Sequence, residues 1–176
     1  MFARKLAFAT LALVLPASAT VALLPRLDAA EVTFPANFAA GVHYASIDRD
    51  DTKQRLDLFA PADALVAAKQ GRPLPRGTVI TMLRYNAALD ADGTPLRDPD
   101  GRFVKAGLAG YSVMEKQAGW GFEYPAPLRN GEWAFRRFTP TGAVDDSLGE
   151  AVCLQCHKVQ AKHDFVFSRS QMKDRG

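Results

Sequence analysis

The residues with the clearest chemical potential form a short run near the C-terminal end, Cys153-Leu154-Gln155-Cys156-His157. Cys-x-x-Cys-His is the attachment sequence for c-type haem. On a helix, positions i, i+3 and i+4 share one face, so both thiols and the imidazole can reach the same ligand. The pattern predicts one haem c, bonded covalently through Cys153 and Cys156, with His157 as the ligand of its iron.

Three other uses of these residues compete with haem attachment. A thioredoxin-type dithiol would follow a strand near the start of a βαβ unit. A zinc site would need a fourth ligand, for which His43 and His163 are the candidates. A simple disulfide between Cys153 and Cys156 would leave His157 without a role. The chain has 2 cysteines in all, which is the number that one c-type haem requires.

The sixth coordination position of the iron would decide the function. A strong second ligand would make the protein an electron carrier, whereas an open or apolar distal face would admit a small molecule. Five side chains are candidate ligands, namely Met82, Met114, Met172, His43 and His163. Each of them is more often a core or surface residue than a ligand, so the residues alone leave both alternatives open.

The N-terminus has the features of a secretory signal peptide. Arg4 and Lys5 precede an apolar run over residues 6–15 and the small-residue sequence at 17–19. The alternative, a retained anchor extending to Leu24, is interrupted by polar residues and is barely long enough to span a bilayer. We therefore predict cleavage after residue 19, or as late as residue 30, with export to the periplasm and no membrane attachment afterwards.

Composition indicates a single globular domain over residues 31–176. The 176 residues are 48% hydrophobic and 23% charged, and glycine and proline follow no repeat. The formal net charge of the full chain is +3. Removal of residues 1–19 takes away two of the 22 basic residues and none of the 19 acidic ones, which leaves a charge near +1. A nearly neutral chain gives no support to nucleic-acid binding.

Local patterns predict an α+β fold, a mainly antiparallel β-sheet with packed helices. Strands are predicted over residues 42–47, 78–85, 108–116 and 132–138, with a helix over residues 61–69. Two Asp-Gly turns, at residues 90–93 and 98–101, are typical of hairpins. A C-terminal helix, capped by Asp146 or Ser147 and ending near Val159, would carry the haem-attachment motif.

Ordinary cytochromes c carry the haem motif near the N-terminus, whereas here it follows a β-rich body. That order resembles the cytochrome P-460 family and its relatives, the cytochromes c′-beta. Five stretches, in the family's order, carry the resemblance: residues 75–80, 113–116, 119–122, 153–157 and 164–167.

The resemblance implies a periplasmic homodimer with one c-type haem per subunit, His157 as axial ligand and a free opposite iron face. Such proteins oxidise hydroxylamine or bind nitric oxide, and an oxidising member needs a redox partner protein. The alternative is an electron-transfer cytochrome with no substrate of its own.

The resemblance also suggests residues around the haem. The candidates for an apolar lining are Met82, Phe103, Met114, Trp120 and Phe122. Glu115 and Arg84 are the candidate catalytic residues, because a carboxylate near the iron could take protons as hydroxylamine is oxidised. For Glu115 and Lys116 the simpler interpretation is a strand side chain that faces solvent. P-460 enzymes bond a lysine to the porphyrin, but the aligned residues 81–84 include no lysine.

Overall fold

The computed structural model describes residues 31–176, so the predicted signal peptide lies outside the described residues. The elements in that range are β1 (Val42–Arg49), β2 (Gln54–Ala60), α1 (Ala62–Lys69), β3 (Val79–Ala87), β4 (Lys105–Lys116), β5 (Trp133–Phe138), α2 (Glu150–His157) and α3 (Arg169–Arg175). Short 3-10 helices occur at Phe38–Ala40, Ala126–Leu128 and Lys158–His163. The α+β prediction is confirmed, and α2 contains the haem-attachment motif.

The five strands form one antiparallel sheet in the order β1-β2-β3-β4-β5. Each strand therefore pairs with its neighbours in the sequence, which short connections favour. The predicted turn at residues 98–101 is confirmed by Asp98, whose carboxylate accepts the backbone N–H groups of Asp100 and Arg102 at 3.1 and 2.9 Å. Asp90 caps the first turn in the same way, accepting from Thr94 at 2.9 Å.

The sequence prediction omits two elements, β2 and α3. In β2 the apolar residues alternate around Asp57, a residue type that is depleted in strands. Asp57 is nevertheless buried, because Lys105 and the hydroxyl of Ser46 bind its carboxylate. The short helix α3 is mostly polar, and its Met172 is buried against the main core. Contacts with residues distant in the sequence, and not the local pattern, therefore explain why β2 and α3 form.

The two faces of the sheet bury different clusters. Residues opposite one another on adjacent strands share a face, as do Leu58 and Met82, or Met114 and Phe135. This face carries the main core, to which α1, α2 and α3 contribute. The other face is covered by the N-terminal segment, where Val32 packs with residues of β4 and β5. The space beneath α2 therefore belongs to the first face.

The C-terminal helix starts later than predicted. Gly149, and not Asp146 or Ser147, occupies the N-cap position, and its residue type offers no side-chain cap. Ser147 belongs instead to a turn, in which its backbone N–H donates to Asp145 at 3.1 Å. Glu150 in the first turn places a negative charge at the helix N-terminus, which is favourable. Within residues 31–176 no helix has the length and apolar character needed to cross a membrane.

Candidate functional site

Helix α2 is anchored at its first residue and again near its middle. The Glu150 carboxylate accepts the Tyr124 hydroxyl at 2.6 Å and the backbone N–H of Phe135, in β5, at 2.9 Å. One turn later the buried Asn130 amide donates to the carbonyl oxygen of Leu154 at 2.9 Å. Leu154 itself is 1% exposed and packs into the main core. These contacts fix which face of α2 is turned toward the sheet.

The two cysteines lie one turn apart on this anchored helix, and both are free thiols. Cys153 is half-buried and Cys156 is exposed. Burial, reinforced by the negative charge of Glu150, raises the pKa of the Cys153 thiol. Cys153 is therefore a protonated thiol at neutral pH. The structure thus contains two unpaired thiols beside His157, and not a disulfide.

His157 is held in one tautomer by the segment that follows α2. Its Nδ1 donates a hydrogen bond to the carbonyl oxygen of Phe165 at 2.8 Å; a carbonyl can only accept, so Nδ1 carries the proton. Burial lowers the pKa of His157, against the opposing effect of this hydrogen bond. The neutral ring therefore keeps a lone pair on Nε2, which is the form that binds a metal.

Aromatic rings fix the imidazole from two sides. The centroid of the His157 ring lies 4.6 Å from that of Phe135 and 5.0 Å from that of Phe167. The contact with Phe167 is edge-to-face, at an interplanar angle of 79°, an arrangement that aromatic pairs favour. Hydrogen bonding and packing together leave the ring little freedom.

A cavity of about 720 Å³ lies between α2 and the first face of the sheet. Its apolar walls include Ile47, Leu56, Leu58, Ile80, Met82, Met114, Phe135, Leu148, Val152, Val166 and Phe167. Cys153, Cys156 and His157 all line it. The volume falls in the range of small-molecule and cofactor pockets. An apolar cavity with two free thiols and a neutral imidazole on one wall fits a c-type haem.

Arginines form the charged part of this cavity, to which Arg49, Arg84 and Arg137 contribute. The Arg84 side chain is only 12% exposed, and its Nη2 lies 3.7 Å from a carboxylate oxygen of Asp145. Among residues 31–176 no hydrogen-bond partner reaches its Nε or Nη2. Burial, together with the nearby charge of Arg137, lowers the pKa of Arg84. The cavity therefore has a cationic region that a negatively charged group would satisfy.

The structure brings some predicted site residues to the cavity and places others elsewhere. Met82, Met114 and Arg84 line it together with the haem-attachment motif. Glu115 follows Met114 in β4, so alternation directs it to the opposite face, where its carboxylate accepts from the Gln117 amide at 2.7 Å.

Trp120 and Phe122 also lie away from the cavity lining. Trp120 packs against the cluster on the second face of the sheet. Phe122 is 62% exposed, with the Arg129 guanidinium 5.8 Å from its ring centroid. Phe103 is fully buried beneath Arg97, in the connection between β3 and β4. Their apolar character alone did not indicate which face they occupy.

The interpretation of Lys116 as a solvated strand lysine is wrong. Lys116 is 8% exposed, and its Nζ lies 3.0 and 2.9 Å from the two carboxylate oxygens of Asp164. The physical reason is that the end of β4 is covered by the segment after α2, which carries Asp164. Lys116 lies two positions after Met114 in β4, so alternation places both side chains on the same face of the sheet. This alternation is the sequence feature that indicates the burial of Lys116.

The remaining alternatives for the motif find no support in the described residues. Within residues 31–176 no group of three or more His, Cys, Asp or Glu side chains is arranged to hold a metal ion, so the zinc interpretation lacks a ligand set. Of the candidate sixth ligands, Met172 is buried in the main core. His43 lies at the exposed end of β1, and His163 is exposed in the 3-10 helix after α2.

Sequence reasoning missed several residues of the site. Phe135 and Phe167, which hold the imidazole, and Leu58 on the cavity wall were not among the predicted site residues. The alternation of Leu56 and Leu58 around Asp57 is the signal that identifies the β2 part of the wall.

Comparison with known proteins agrees with this geometry. The family model described as cytochrome P-460 matches residues 36–168, which is most of the chain and includes the whole sheet and α2. No match was found among curated proteins. The matched range includes the haem-attachment motif, the cavity wall and the segment that holds His157. The chain therefore belongs to the cytochrome P-460 family and is a haem-binding cytochrome.

Proposed function

We propose that this protein is an exported mono-haem c-type cytochrome that binds or oxidises small nitrogen species, such as hydroxylamine and nitric oxide. Haem c would be bonded through Cys153 and Cys156, with His157 on the iron and the opposite face open or apolar. The observation that carries the proposal is the placement of these three residues on the wall of a largely apolar cavity. The N-terminal pattern supports export to the periplasm as a soluble protein. The family resemblance supports a homodimer that exchanges electrons with a redox partner protein.

The chain supplies what covalent attachment needs. Each thiol can add its S–H across one vinyl C=C bond, so a C–S bond forms, the hydrogen moves to the vinyl carbon and no oxidant is consumed. Cys153 and Cys156 are free for this reaction. Because Glu150 and Asn130 anchor α2, the tethered group would be held in a fixed position against the sheet.

The wall opposite α2 supports an open or apolar distal face. Bound haem supplies an iron centre that exchanges electrons and takes small ligands. Leu56, Leu58 and Ile80 make the sheet side of the cavity apolar. Among the described residues that line the cavity there is no lysine, which supports a haem without the porphyrin cross-link, as in the c′-beta branch.

An electron-transfer cytochrome remains the second candidate, because Met82 and Met114 both line the cavity. A thioether bound to the iron would close the sixth position. Met114 is nearly fully buried and packs into the main core, and Met82 packs against the same core. This packing favours a structural role for both methionines.

Arg84 is the charged residue that we retain as a catalytic candidate. Its guanidinium lies at the cavity, and within residues 31–176 its Nε and Nη2 have no hydrogen-bond partner. It can therefore stabilise the negative charge that a small ligand acquires when it loses a proton. Glu115 lies on the other face of the sheet, so the proton-accepting role suggested for it has no support in this geometry.

Hydroxylamine turnover with an external electron acceptor tests this role. We expect Arg84→Leu to lower kcat/KM by about 10²-fold, the cost of removing one fixed charge donor, and Arg84→Lys to retain part of the activity. Arg76→Gln, which removes an exposed arginine that does not line the cavity, is the matched control. Turnover that is unchanged in Arg84→Leu would remove Arg84 from the mechanism. A wild-type protein that neither turns over hydroxylamine nor binds nitric oxide contradicts the proposed function.

A further inference from the structure

The segment that holds His157 has an unusual backbone. Asp164 and Phe165 are consecutive non-glycine residues in the left-handed region, with φ angles of 55° and 61°. This conformation is uncommon for any residue with a side chain and is a real outlier for a bulky one. Strained backbone of this kind persists where the surroundings over-determine it, and it is concentrated at functional sites. Here the second strained residue supplies the carbonyl that binds His157.

One carboxylate ties this segment to the rest of the fold. Besides its two contacts with Lys116, Asp164 accepts the backbone N–H of Leu74 at 2.7 Å and lies 3.4 Å from the indole nitrogen of Trp133. Lys116 is at the end of β4 and Trp133 is at the start of β5. The Asp164 carboxylate therefore holds the residue before Phe165 against two strands and the loop after α1.

Stability alone is a poor reason for this buried ion pair. The desolvation of two buried charges largely cancels their attraction, and apolar replacements of similar volume are often as stable. A buried pair does, however, specify one geometry, because neither charge finds another partner without a cost. Its position next to the strained residues indicates that the geometry it specifies is that of residues 164–167.

The same segment contacts the imidazole and the cavity at several points. The backbone N–H of Phe165 donates to Gln160 at 2.9 Å, which sets the direction of the following carbonyl. Val166 is 1% exposed and lines the cavity, and Phe167 packs edge-to-face on His157. Movement of Asp164 would therefore be transmitted to the hydrogen bond and to the packing of His157.

We propose that Lys116 and Asp164 are positioning residues for the haem ligand, which set the hydrogen bond from His157 to Phe165 and thereby the reduction potential of the iron. The inference rests on the proposed function in that His157 is taken as the iron ligand. Outer partners that accept the N–H of a ligating histidine raise its basicity. A more basic imidazole stabilises the ferric state, so loosening the segment raises the potential.

The test uses Asp164→Asn in the haem-loaded protein. Asparagine keeps the shape and one acceptor oxygen for the Leu74 N–H, but it loses the charge that holds Lys116. We expect the ferric–ferrous equilibrium to shift toward the ferrous state by about tenfold, which is about 59 mV for a one-electron couple. Resonance Raman spectra of the ferrous protein should show a lower iron–histidine stretching frequency. A merely structural role would lower the melting temperature without moving either quantity.

Two further variants keep the test decisive. The double variant, Lys116→Met combined with Asp164→Asn, leaves no unpaired buried charge. It replaces Asp164→Asn if that single variant fails to fold. It should show the same shifts in reduction potential and in iron–histidine stretching frequency. Arg76→Gln breaks the ion pair between Arg76 and Glu132, at 2.8 Å, which joins the segments just before β3 and β5. This variant should leave both quantities unchanged. A folded Asp164 variant with the wild-type potential and stretching frequency overturns the inference. A wild-type protein with no iron–histidine signal would instead refute His157 as the ligand, and with it both proposals.

Discussion

Replacing both cysteines, as Cys153→Ala and Cys156→Ala together, should abolish covalent haem attachment. Both thioether bonds depend on these sulfurs, and the protein has no other cysteine. Each single variant should retain one bond and therefore still carry haem after denaturation. The proteins are to be expressed with a cytochrome c maturation system, denatured and analysed by mass spectrometry and by haem staining after electrophoresis. We expect haem on the wild-type chain and on both single variants, and none on the double variant.

The double variant should remain folded, which separates loss of attachment from loss of structure. Cys156 is exposed and Cys153 is half-buried, whereas the anchors of α2 are Glu150, Asn130 and Leu154. Its far-ultraviolet circular dichroism should therefore match that of the wild-type protein without haem. Haem that survives denaturation on the double variant would show that another side chain forms the bond, and the account of the motif would fail.

Replacing His157 by glycine should preserve attachment but remove the protein ligand from the iron. The ferrous absorption spectrum and the iron–histidine stretching band should both change, because the imidazole is the donor we assign to the iron. Glycine leaves a space between Phe135 and Phe167, whose rings flank the imidazole. Added imidazole should therefore bind in this space and restore most of the wild-type spectrum.

The matched control is His163→Gly, which changes an exposed histidine six positions further on. It should leave the spectrum as in the wild type. A His157→Gly spectrum identical to that of the wild type, with no response to imidazole, would contradict our assignment. In that case Met82 or Met114, the other candidate ligands on the cavity wall, would have to bind the iron.

The features that were predictable from the sequence are those encoded locally. The motif at residues 153–157 has a fixed spacing, so its helix and the common face of its thiols follow directly. The helix at α1 and four of the five strands also follow from local patterns. Strand β2 did not, because the burial of Asp57 depends on Lys105, a residue 48 positions away that binds its carboxylate.

The cavity lining was only partly predictable, because residue type does not specify which face a side chain occupies. Met82 and Met114 fall on the cavity face by alternation, and Glu115 falls on the other face for the same reason. Trp120 lies in the connection after β4, where no periodicity applies. The contact between Lys116 and Asp164 joins two segments that are distant in the sequence, so it could be identified only from the folded structure.

The most direct test of the account is the absorption spectrum of the ferrous, haem-loaded protein before and after addition of nitric oxide. With His157 as the one strong protein ligand, the account predicts a spectrum without the sharp α and β bands of doubly ligated low-spin haem, and a clear spectral change when nitric oxide binds. Sharp α and β bands that do not respond to nitric oxide would contradict it and would identify the protein as an electron carrier.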